Sequence, residues 1–134
     1  MRHFTDALFE GINSIQEEAS TYYRIEVFND KDEPQGGLFR GLKALLDILW
    51  ETDDERYDYI NEPLSWLEYN TPYPDNLDNP KIKFAYKQDF YTKYLEYFKD
   101  IEVELNKLDW SMKINKLAQP EKIIYEDDVQ IAYI

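Results

Sequence analysis

Six side chains in the second half of the sequence constrain its fold most. Tyr91, Tyr94, Phe98, Ile101, Leu105 and Leu108 recur at intervals of three, four, three, four and three. Residues three and four apart share one face of an α-helix, so this spacing predicts an amphipathic helix with a buried stripe. Its span reads as Asp89 to about Asp109, with a start as early as Pro80 left open. Just upstream, Ile82-Lys83-Phe84-Ala85-Tyr86 alternates like a strand yet also fits the start of that helix.

Other segments supply the partners such a stripe needs. Phe4, Leu8, Ile12, Ile15 and Ala19 keep a helical period over Phe4–Ser20, although Gly11 weakens that helix by roughly 1 kcal/mol relative to Ala. Leu38, Leu42, Leu45, Leu46 and Leu49 share a face of a helix over Leu38–Trp50. Thr52 or Asp53 is placed to cap a short helix to about Asn61, and Pro63 suits the first position of another ending near Tyr69. Tyr23–Phe28 alternates and is rich in β-branched and aromatic residues, which predicts a strand. Turn residues predict loops at Asn29–Gly37 and Asn70–Asn79. Lys122–Tyr125 and Val129–Ile134 flank Glu126-Asp127-Asp128 as a hairpin with an acidic turn. The 134 residues therefore read as one α+β domain, mostly helical, with a small antiparallel sheet that includes the C-terminal hairpin.

Composition narrows the function classes. There is no cysteine, which excludes disulfides, thiolate nucleophiles and Cys-ligated zinc. No apolar run has the length of a signal peptide or a membrane span, so a cytoplasmic protein is expected. A net charge of −13 argues against direct binding of nucleic acid, where affinity depends on Lys and Arg. Disorder does not fit a chain that is 43% hydrophobic and 16% aromatic.

The negative charge is concentrated between Ala44 and Pro80. Ten carboxylates there face the single cation Arg56, which accounts for nine of the thirteen excess negative charges. Aromatic residues are interleaved with them. Trp50, at the end of a Leu-rich helix, and Trp66, next to Leu67, are expected in the core. The expected contact residues for a partner are Glu51, Asp53, Asp54, Glu55, Tyr57, Asp58, Tyr59, Glu62, Tyr69 and Tyr73. One-signed charge steers encounter, and exposed Tyr supplies contact area.

Chemistry is less well represented. A calcium loop starting at Asp30 would have Pro34, Gln35 and Gly41 at its fifth, sixth and twelfth positions, and one starting at Asp53 contains no Gly. His3, the single histidine, lies near the start of the chain, and no phosphate-cradling Gly motif is present. No catalytic residue, metal or cofactor is expected. Lys81, Lys83, Lys87 and Lys93 against Asp89 form a basic patch expected to pair with the acidic stretch inside the fold.

The expected function is that of a small acidic inhibitor. It would neutralise a protein with a basic functional surface, either a cognate bacterial toxin or nuclease or a host nucleic-acid-handling defence enzyme. The alternative is a structural or adaptor subunit assembling through the apolar helix stripe. A carboxylate-based enzyme comes third.

Overall fold

The computed structural model describes residues 21–134 apart from 75, 76, 78, 119 and 121, so the helix expected over Phe4–Ser20 lies outside the described residues. An antiparallel sheet forms around β1 (Tyr22–Phe28), the segment whose alternation predicts a strand. Along one edge, β4 (Ser111–Leu117) pairs with all seven β1 residues, from Tyr22↔Leu117 to Phe28↔Ser111. The other edge is shared. β2 (Pro34–Gly37) takes Glu26–Phe28, and β3 (Lys83–Lys87) takes Tyr22 and Tyr23. Arg24 and Ile25 fall at the gap between them. The sheet continues from β3 to β6 (Gln130–Tyr133) and then β5 (Ile123–Glu126), the expected hairpin.

The period of two divides β1 between two cores. Ile25 and Val27 enter the main core with the helices, whereas Tyr22 joins Ala85 and Ile131 in a smaller cluster. α1 (Leu38–Glu51) covers the sheet with Leu38, Leu42, Leu45, Leu46 and Leu49, all buried, as its spacing predicts. Gly41 lets it approach closely, because an added Cβ would lie 2.5 Å from the Cβ of Val27.

α2 runs unbroken from Arg56 to Tyr69, where sequence signals suggest two short helices. Pro63 sits inside it. The missing N–H leaves the Tyr59 carbonyl without its helical donor, while the buried ring packs in line with Ile60, Leu64 and Leu67.

The long stripe is cut in two. α3 (Gln88–Lys93) ends at Tyr94, with φ −108° and ψ 24°, and α4 (Leu95–Lys107) follows. Phe90, Tyr91 and Phe98 span the break with ring centroids 5.1 to 6.3 Å apart. The apolar period survives the bend, so spacing alone does not reveal it. Phe98, Ile101 and Leu105 are fully buried in the chain's own core.

Ile82–Tyr86 resolves as strand, β3 covering most of it. β2 replaces the end of the expected 29–37 loop, and β4 forms where no element is predicted, so the sheet has six strands among the described residues. Among the described residues no helix is long and apolar enough to cross a membrane.

Candidate functional site

The acidic stretch folds into α1, α2 and the turn joining them, followed by a loop. α2 buries Ile60, Pro63, Leu64 and Leu67 along one face, which leaves the opposite face to water. Asp58, Asn61, Glu62, Ser65, Trp66 and Tyr69 follow one another at helical spacing and line a shallow groove on that outer face. Trp66 and Tyr69 meet edge to face, with centroids 6.3 Å apart. Two carboxylates and two large aromatic rings therefore share one exposed surface.

The two tryptophans correct the sequence reading. Trp50 is 72% exposed and Trp66 is 52% exposed, so neither is core. Leu49 takes the last buried position of α1, and Leu67 the last of α2. The adjacent tryptophan in each case is rotated away from the core. The ring of Trp50 instead rests 5.3 Å from that of Tyr57, which is half-buried rather than free. Tyr59, Tyr69 and Tyr73 are exposed, the last on the loop after α2.

The carboxylates divide in the same way. Glu51, Asp53, Glu55, Asp58 and Glu62 are exposed. Asp53 caps neither helix and sits in the turn with φ +53°. Asp54 is engaged locally, its Oδ1 accepting from the backbone N–H of Arg56 at 2.9 Å and from Nε of Arg56 at 3.1 Å. The backbone hydrogen bond, helped by the Arg56 side chain against a smaller burial effect, holds Asp54 below the ordinary carboxylate range.

Among the described residues the basic patch does not answer this field. Lys87 pairs with Glu126 in the C-terminal hairpin at 2.7 Å, and Lys93 lies over the Tyr94 ring. Among the described residues, none of Lys81, Lys83, Lys87 and Lys93 pairs with a carboxylate of the acidic stretch. The cations that do are Arg56, and Lys43, which meets Glu68 at 2.9 Å. The reason is topological: β3 carries two of the four lysines, Lys83 and Lys87, to the sheet beside β6.

Sequence reasoning misses a second feature. A cleft of about 460 Å³ opens where β2 and β3 leave the edge of β1 unshared, and Arg24, Arg40, Lys43 and Lys83 border it. The Arg24 guanidinium occupies the gap itself. Its Nη1 donates to the Phe84 carbonyl of β3 at 3.0 Å and would lie 3.0 Å from a Cβ added at Gly37 of β2. On the opposite side, Gln130 Nε2 donates to the Pro72 carbonyl at 2.9 Å and ties the loop to β6. The four cations come from separate parts of the chain, so no local pattern announces them. Gly36-Gly37 before an uncapped helix was the available signal.

Among the described residues no group of three or more His, Asp or Glu is arranged to hold a metal ion. No family model, curated protein or solved structure matches the chain.

Proposed function

We propose that the protein is a small acidic inhibitor of the cytoplasm that occupies the basic functional surface of another protein. Its target is a cognate bacterial toxin or nuclease, or a host enzyme that handles nucleic acid. The observation that carries this reading is the outer face of α2, where Trp66 and Tyr69 stand exposed among Asp58 and Glu62. Tyr and Trp are the residue types that dominate interface energetics, and here the two rings adjoin in one patch rather than being scattered singly. The carboxylates attract the Lys and Arg that would otherwise hold phosphate, and the rings become the desolvated anchors. Assembly through the helix stripe has less support, because Phe98, Ile101 and Leu105 are already buried.

The test is affinity capture followed by measurement of binding to each recovered protein. A partner with a basic surface should bind the parent, with affinity falling steeply as salt rises. It should bind a triple variant Asp58→Asn, Glu62→Gln, Trp66→Ala at least about a hundredfold more weakly. Equal binding by the two proteins would rule the reading out.

A further inference from the structure

The cleft beside β1 has the opposite character from the rest of the protein. Among the described residues, four cations border it and Glu68 is the one carboxylate on its rim, an excess of three positive charges in a chain of net charge −13. Lys43 is already paired with Glu68. Among the described residues, Arg40 and Lys83 make no ion pair. Like charges held around one cavity repel, and an anion inside it relieves that repulsion.

We propose that this cleft binds a small organic anion. Arg24, Arg40 and Lys83 hold a phosphate or carboxylate head, and a flat apolar body lies against Phe39, Phe84 and Tyr86.

Three observations support this assignment beyond the charge. The cleft volume of about 460 Å³ falls within the range of ordinary small-molecule sites, and aromatic rings stand beside the cations as such sites require. Arg24 is deeply placed, with a side chain only 12% exposed. Its Nε is buried without any hydrogen-bond partner, while Nη1 is committed to Phe84 and Nη2 lies 3.8 Å from Glu26. The bond to Phe84 fixes the guanidinium at the wall of the cleft, where its charge is only partly met by Glu26. The third observation is the start of α1, which lines the same cleft. Its N-cap is Gly37, which supplies no side-chain cap, and no acidic residue occupies the first turn. The first-turn N–H groups therefore add to the positive potential.

The geometry separates head from body, so the test does too. Amide resonances of Gly37, Leu38, Phe39 and Arg40 are followed by NMR during titration with inorganic phosphate, phenyl phosphate and benzoate. Saturable shifts are expected with at least one aromatic probe. That probe should bind about tenfold or more tightly than inorganic phosphate, and the tighter of the two identifies the head group. Arg40→Gln and Lys83→Gln, both at exposed side chains, should each weaken binding by roughly tenfold. Lys113→Gln, on β4 outside the cleft, should leave it unchanged. The proposal fails if no probe gives saturable shifts below about 20 mM. It also fails if inorganic phosphate binds as tightly as both aromatic probes, or if Lys113→Gln weakens binding as much as the cleft variants do.

Discussion

Gly41→Ala tests how closely α1 lies on the sheet. The new methyl carbon would stand 2.5 Å from Cβ and 2.9 Å from Cγ2 of Val27, and 3.3 Å from the carbonyl oxygen of Gly36. Carbon atoms rest at about 3.5–4.0 Å, so helix and strand must part by about 1 Å. Neither yields easily. Val27 is fully buried, and β1 is paired on both edges at that residue. Overpacking of this kind typically costs about 1–3 kcal/mol, occasionally more. An alanine in a helix interior gains about 1 kcal/mol over glycine, which opposes that loss. A contact of 2.5 Å lies at the severe end, so we expect a net loss of about 2 kcal/mol, or roughly 7 °C in Tm for a chain of this length. Thermal and urea unfolding followed by circular dichroism measure it. The cause is checked by a double-mutant cycle with Val27→Gly, which removes the atoms in collision and should recover at least about 1 kcal/mol of coupling. An alanine variant as stable as the parent would refute the close approach, as would a loss that Val27→Gly fails to relieve.

Trp66→Ala and Tyr69→Ala should change folding stability by no more than about 0.5 kcal/mol, since both rings face water, yet each should weaken partner binding by about 2 kcal/mol in calorimetry. Asp58→Asn with Glu62→Gln should lower the association rate and flatten its salt dependence in stopped-flow mixing, leaving dissociation largely unchanged. Asp127 provides a pH test. Burial pushes its carboxyl up, but hydrogen bonds from Tyr125, Val129 and Gln130 together hold it below 3.8. A depressed acid stabilises the fold above its unfolded pKa, and that contribution is lost as pH falls through the folded value. The parent should therefore lose stability as pH drops below about 5, and Asp127→Asn should show a shallower loss over that window. Matching slopes for the two proteins would remove Asp127 from the account.

What the sequence discloses follows the range of the interactions involved. Leu38 to Leu49 and the 91–108 stripe are local patterns with one buried face each, and both become core. The C-terminal hairpin is equally local, closed by Asp127 accepting from the backbone of Val129 and Gln130. β2 is hidden because Pro34-Gln35-Gly36-Gly37 reads as a turn, and its pairing comes from a partner strand rather than from propensity. The bend at Tyr94 leaves the apolar period intact. Trp50 and Trp66 mislead because size and apolarity favour burial, whereas a one-residue step on a helix turns a side chain by about 100°. Of the expected contact residues, those on the outer face of α2 cohere into one surface. Asp54 and Tyr57 are tied into the turn. The cleft is a product of tertiary structure, assembled from cations as far apart in sequence as Arg24 and Lys83.

The central position of β1 also bears on how the chain is made. This strand lies near the start of the sequence, yet its full-length partner β4 begins only at Ser111, and Tyr22 pairs with Leu117. Translation at about 5–20 residues per second separates the two by roughly 5–20 s. Through that interval, a Val- and Ile-containing strand waits with one edge open, a condition that invites association between nascent chains. The carboxylates of 44–80 emerge during the same wait, and charge of one sign opposes association between such chains. Pulsed hydrogen exchange on a chain ending at Asp109 would examine this, and protected β1 amides there would contradict it. The charge assigned above to recognition would thus serve a second purpose, keeping unfinished copies of the chain apart.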